Sequence, residues 1–112
     1  TFKIKKPGNL MALDVEIKTV YEDGDTNATM AYATKAGDKY PNHVHLTSKQ
    51  YLICTSGSFA VEIYDFKTIT RIINVGECVS INKGIEHSMT ALDDNSRVLS
   101  VCVPVEPSYS KK

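Results

Sequence analysis

Apolar and polar residues alternate along this chain with a period of two over short stretches, and they never hold a 3.6-residue period over a helix-length window. Val, Ile, Tyr, Phe and Thr fill these stretches. Clusters with turn chemistry separate them: Pro7-Gly8-Asn9, Asp23-Gly24-Asp25, Ala36-Gly37-Asp38, Ser56-Gly57-Ser58, Gly76, Lys83-Gly84 and Asp93-Asp94-Asn95. The pattern predicts strands over 10–21, 28–35, 42–46, 50–55, 59–64, 69–75, 78–81, 87–92 and 97–103, with no long helix. Short strands at regular spacing predict an all-β protein, a sandwich or a small barrel. The stretch after Pro104 reads as a frayed end or a short arm.

Strand parity decides which side chains share a face. His43 and His45 are expected to point the same way from one strand. Gln50, Leu52 and Cys54 share a face of the next. Phe59, Val61 and Ile63 oppose Ala60, Glu62 and Tyr64. His87, Met89 and Ala91 share another face, which leaves Ser88 and Thr90 to solvent. Tyr32, Tyr40, Met30 and Met89 are candidate walls of an internal pocket.

Composition narrows the choice of function. The chain has 112 residues, 42% of them hydrophobic and 23% charged, which fits one globular domain spanning 1–112. Lys+Arg and Asp+Glu number 13 each, and this balance argues against nucleic acid or an anionic membrane as partner. No apolar run is long enough to span a bilayer, and no charged-then-apolar leader opens the chain, although Thr1 in place of Met leaves room for a preceding segment. Cys54, Cys78 and Cys102 form no CxxC pair. They are expected to be reduced, buried small side chains in a cytoplasmic protein. Asn27-Ala28-Thr29 matches the glycosylation sequon, a pattern frequent by chance.

All three histidines fall in two glycine-bracketed blocks. The first is Gly37-x5-His43-x-His45-x4-Gln50-x6-Gly57, and the second is Gly76-x5-Asn82-x-Gly84-x2-His87. Two imidazoles two residues apart on a strand lie about 7 Å apart along the backbone, and their rings can converge on one ion. Gln50 can add a carbonyl oxygen and His87 a third imidazole from a distant strand. Three neutral nitrogens with one amide oxygen suit a divalent transition ion (Mn, Fe, Ni or Zn) and not calcium or magnesium, which demand more oxygen. Each piece alone has an ordinary explanation, as a surface pair, a strand-start polar residue or a turn histidine. The joint spacing is what singles them out. The competing catalytic motifs are absent: there is no Gly-x-Ser-x-Gly and no glycine-rich phosphate loop. The acidic pairs Asp23/Asp25 and Asp93/Asp94 sit in loops. Glu86, beside His87, is expected at the barrel mouth, where it is a candidate general base.

The two blocks resemble the two motifs of the cupin superfamily, Gly-x5-His-x-His-x(3,4)-Glu-x6-Gly and Gly-x5-Pro-x-Gly-x2-His-x3-Asn. Gly37, His43, His45, Gly57, Gly76, Gly84 and His87 match, while Gln50, Asn82 and Ala91 replace the Glu, Pro and Asn of the pattern. The resemblance implies a small double-stranded β-helix, the cupin or jelly-roll barrel, with His43, His45, Gln50 and His87 as metal ligands. It also implies a small-molecule ligand and, for so small a barrel, a homodimer that covers its outer faces. Gln at position 50 removes a negative ligand, which weakens binding and raises the ion's Lewis acidity.

Gln at this place is found in two cupin groups. One resembles the small cupins that open the ring of unsaturated uronic acids, in which three His and the Gln hold a metal. The other is the metal-free nucleotide-sugar ketoisomerase group, which Gln50-Tyr-Leu-Ile-Cys-Thr-Ser-Gly-Ser-Phe-Ala-Val resembles locally. Three functions follow as expectations. The first is a metal-dependent enzyme (isomerase, lyase or dioxygenase) acting on a polar metabolite such as a sugar acid or carboxylate. The second is a metal-free ketoisomerase-like cupin. The third is a non-enzymatic ligand-binding or sensor module.

Overall fold

A computed structural model describes residues 14–105. Among them lie nine strands and no helix: β1 Val15–Glu22, β2 Asn27–Ala33, β3 Lys39–His43, β4 Lys49–Ser56, β5 Ser58–Tyr64, β6 Thr68–Asn74, β7 Cys78–Ile81, β8 Glu86–Ala91 and β9 Ser96–Val103. They form two antiparallel sheets, one of five strands ordered β1-β2-β9-β4-β7 and one of four ordered β3-β8-β5-β6. Facing sheets of this kind bury one set of alternate side chains between them. Here that set includes Ala31, Ala33, Leu52, Cys54, Phe59, Val61, Ile73, Ile81, Met89, Ala91 and Val98. The first expected strand starts within the described residues only at Val15. Its residues 10–13, the turn at Pro7-Gly8-Asn9 and the tail from Glu106 lie outside them.

Sheet switching sets the architecture. β4 ends in the five-stranded sheet at Ser56 and β5 begins in the other at Ser58, so Gly57 alone makes the passage. Its φ is +70°, and a Cβ there would lie 2.1 Å from Ser96 Oγ and 2.9 Å from Ser96 Cα. Only glycine meets both demands.

Four expectations are corrected. The strand foreseen over 42–46 runs instead over Lys39–His43, with a register shift against β8 between Tyr40 and His43. Pro41 has no N–H for a ladder, and an irregular edge strand is where a sheet accommodates it. Met30 and Tyr32 do not line the interior. They alternate with the buried Ala31 and Ala33 and face outward, Tyr32 beneath the Arg97 guanidinium and Met30 within reach of the Thr55 hydroxyl. Ser88 is fully buried despite its outward parity, because β8 is an inner strand flanked by β3 and β5. Cys78 is exposed: it lies on β7, an edge strand, where it pairs with Ile53 of β4 and has the opposite parity to the buried Ile81. Cys54 and Cys102 are buried and outside any disulfide, as expected. Asn27 of the sequon is buried on β2, which leaves a glycan no room.

Candidate metal centre

His43 is the last residue of β3 and pairs with His87, the second residue of β8. His45 is not on the strand at all. It lies just beyond the end of β3, and its carbonyl accepts a hydrogen bond from the Gly84 N–H at 2.8 Å. Gly84, at φ +80°, holds a left-handed turn that aims this N–H at the first block. The HxH spacing therefore works differently from strand parity: a bond from the second motif holds the second histidine in place.

The three rings meet. Ring centroids are 4.1 Å apart for His43 and His87, 5.1 Å for His43 and His45, and 5.6 Å for His45 and His87. One potential ligand atom from each lies within 4.8 Å of the others. Ligand bonds of about 2.1 Å in a tetrahedral site would place nitrogens about 3.4 Å apart, so closing on an ion asks each ring to move by under about 1 Å. The donors fit a divalent transition ion.

Tautomers are fixed by the backbone. His43 Nδ1 lies 2.8 Å from the Pro41 carbonyl and His87 Nδ1 lies 3.0 Å from that of Ile85. A carbonyl oxygen only accepts, so each Nδ1 carries the proton and each Nε2 keeps its lone pair. Burial, with the nearby His87 ring adding to it, pushes the His43 pKa down to about 3. Burial also lowers that of His87, against smaller opposing effects of the Ile85 carbonyl and the Glu86 charge. Both rings are neutral at pH 7, as ligands must be.

Gln50 stands on the inner face of the other sheet, paired with Cys102 and Ile81 and 5% exposed. Its Nε2 donates to Ser100 Oγ at 2.6 Å, and its Oε1 is buried with no partner. His87 Nε2 is likewise buried and unpartnered. Unmet buried acceptors cost roughly 1–3 kcal/mol each, and two of them in one interior mark a place built for something else.

Tyr40 and Met89, the other two expected walls, lie on the strands that carry His43 and His87. They pair across β3 and β8, and the Tyr40 ring meets His43 edge-on at 4.6 Å. Burial raises the Tyr40 pKa, with a smaller electrostatic contribution from Cys102. Glu86 is exposed, on the outward parity of β8. Ser100 was not foreseen. Its signal was the alternation Ser96, Val98, Ser100, Cys102, which puts a small hydroxyl on a core-facing row.

No family model and no curated protein matches the chain. Among solved structures it is similar to KdgF from Halomonas sp., with TM-score 0.76 and 21% identity over 86% of this chain and 84% of that one. It is similar to an RmlC-like cupin from Shewanella frigidimarina, with TM-score 0.75 and 11% identity over 96% of this chain and 97% of that one. It is also similar to Bacillus subtilis oxalate decarboxylase, a protein with Mn(II) centres, with TM-score 0.74 and 18% identity over 82% of this chain and 26% of that one. These likenesses show that the chain has the cupin fold.

Proposed function

We propose that this cupin barrel binds a divalent transition ion through His43, His45 and His87, with Gln50 as a fourth ligand, and acts as an enzyme on a small anionic metabolite such as a sugar acid or carboxylate. The observation that carries the reading is the cluster of three imidazoles with ligand atoms within 4.8 Å of one another. When bound, the ion supplies a Lewis acid that polarises a carbonyl or hydroxyl oxygen and stabilises the charge that develops on it.

The anionic character of the ligand follows from charge. Among the described residues no Asp or Glu is buried, and the proposed donors include no carboxylate. A divalent ion here keeps its full charge in a poorly solvated interior, so an anionic oxygen ligand gains more from it than a neutral one. The resemblance to the uronate ring-opening cupins points the same way. Tyr40 and Met89 give the ligand one aromatic and one thioether wall.

The test is calorimetric titration with Mn(II), Fe(II), Ni(II) and Zn(II), followed by addition of small carboxylates to the Mn(II)-loaded protein. Saturable one-to-one binding, and a Mn(II) spin-resonance spectrum altered by carboxylate, are expected. No binding of any of the four ions would overturn the reading in favour of the metal-free ketoisomerase group, for which a neutral buried histidine is a suitable base. A homodimer is proposed as well. The outward row Met30, Leu99 and Ile53 crosses β2, β9 and β4 as half-buried apolar surface that a second copy would cover. Light scattering at twice the chain mass is the expected result.

A further inference from the structure

We infer that Ile63 and Ile69, which continue the row of the histidines, form a second part of the ligand site, and that the ligand is a carboxylate bearing an apolar chain and not a polyhydroxylated sugar acid. The inference deepens the metal reading above and rests on it. Register places the two residues. His43 pairs with His87, His87 with Ile63, and Ile63 with Ile69, so one row of side chains crosses β3, β8, β5 and β6 on a single face of the sheet. That face is the interior, because Phe59 and Val61, which share the parity of Ile63 on β5, are 0% exposed in the core. Directly paired side chains lie about 5 Å apart, and Ile69 stands two strand spacings, about 10 Å, from His87.

The row is not filled. Ile63 is only half-buried, although β8 and β6 flank its strand on both sides, so the surface it leaves open faces inward. Ile69 is 37% exposed. Deeper in the same sheet the pair Phe59 and Ile73 is closed, at 0% and 3%. The space between the sheets therefore opens at the histidine row. On the opposing sheet the buried Ile81 pairs with Gln50, so hydrocarbon also adjoins the proposed fourth ligand. Imidazoles come from the β3 and β8 side of the site, and aliphatic side chains from β5, β6 and β7. A carboxylate held by the ion would lay its chain over Ile63 towards Ile69 and remove apolar surface from water. Sugar hydroxyls laid there would lose water and gain no partner. Arg71 shares the inner parity of β6, pairs with Val61 and is exposed, and it would favour a ligand charged at both ends. A dicarboxylate is thus the second comparison the test needs.

The test titrates the Mn(II)-loaded protein with acetate, butyrate and hexanoate, and with adipate and glucuronate as six-carbon comparisons, by calorimetry and by the Mn(II) spin-resonance spectrum. Affinity is expected to rise from acetate to hexanoate by about two- to fourfold per methylene, fourfold being the figure for full burial. Hexanoate should bind tighter than adipate or glucuronate by about fivefold or more. Ile69→Ser, at a partly exposed edge position, should weaken hexanoate by about fivefold and leave acetate and Mn(II) affinities unaltered. Equal affinities for acetate and hexanoate, or tighter binding of adipate or glucuronate, would overturn the inference and leave the metal reading standing. Equal weakening of acetate and hexanoate by Ile69→Ser would overturn it too, since a general disturbance of the fold acts on both. Failure of the unsubstituted protein to bind Mn(II), or of the loaded protein to bind any carboxylate, would remove the underlying reading itself, and this inference with it, which separates the two failures.

Discussion

At the end of the barrel where β4 passes into β5, every buried hydroxyl is matched. Ser58 Oγ donates to Asp93 Oδ2 at 2.8 Å, and Ser96 Oγ donates to the Asp93 carbonyl at 2.8 Å while it accepts from the Ser58 N–H at 3.2 Å. At the opposite end, where β4 begins with Gln50 and β8 carries His87, buried acceptors stand without donors. The sheets and the apolar filling are continuous between the two ends, so the contrast is one of hydrogen-bond accounting alone. A satisfied polar network locks a fold, and an unsatisfied one forgoes stability in a place a ligand can repay. Five predictions can break or sharpen that contrast.

The largest effect is expected at the matched end. Gly57→Ala forces a side chain into a left-handed backbone and against Ser96, and should cost about 3 kcal/mol or more in urea unfolding. The metal affinity of the protein that still folds should be unchanged. A coupled loss of affinity would show that the two ends are not independent.

His87→Leu should do the reverse. It removes an unpartnered buried nitrogen at similar volume together with the Nδ1 bond to the Ile85 carbonyl, so the two offset and metal-free stability should change by less than about 1 kcal/mol. Metal affinity should fall by more than about 100-fold, beyond what outer groups command. A destabilised variant would mean that the ring, and not a ligand, completes this end. Acid separates the ends too. An unfolded histidine titrates at about 6.5, against about 3 for His43 in the fold. Between those values the unfolded chain binds more protons, so metal-free stability should fall as pH drops from 6.5 towards 3 and then level off. His87, also lowered, adds the same sign. Urea midpoints that rise on acidification would contradict this.

Gln50→Glu should tighten divalent binding by adding charge in a weakly screened cavity, and Gln50→Ala should weaken it by about 10–100-fold. Equal affinities for the two variants would remove Gln50 from the ligand set. The smallest effect belongs to Ser58→Ala, about 1 kcal/mol in stability with unaltered metal binding. Any change in metal affinity there would count against the division.

Much of this was legible in the chain. Eight of the strands lie within two residues of their expected places over the described residues, since period-two alternation is a direct imprint of one buried face. The three histidines converge as the motif spacing implied. What parity could not give was the route. His45 leaves the strand because Pro41 and the register shift end β3 at His43, and a remote glycine N–H then fixes it. Met30 and Tyr32 misled because aromatic and thioether side chains serve an outer sheet face as readily as a pocket. Ser88 and Cys78 show that exposure depends on whether a strand is inner or edge, which local sequence does not encode. The bond between Gln50 and Ser100 could be placed only with the register of β9 against β4.

The bond from Gly84 to His45 also sets when a site can exist. The two residues are joined across all of β4 to β7, so neither half of the histidine cluster has its geometry until those strands have paired. A nascent chain that ends before Gly84 carries two histidines and no third. The centre thus depends on contacts distant in sequence, in a topology dominated by them, and such topologies fold slowly. An ion held by all three rings distinguishes the finished barrel from every shorter or half-paired form. At a hundredfold excess over its dissociation constant it would add about 2.7 kcal/mol to that form alone. Metal supply would then govern how long each copy survives proteolysis, apart from any reaction it performs.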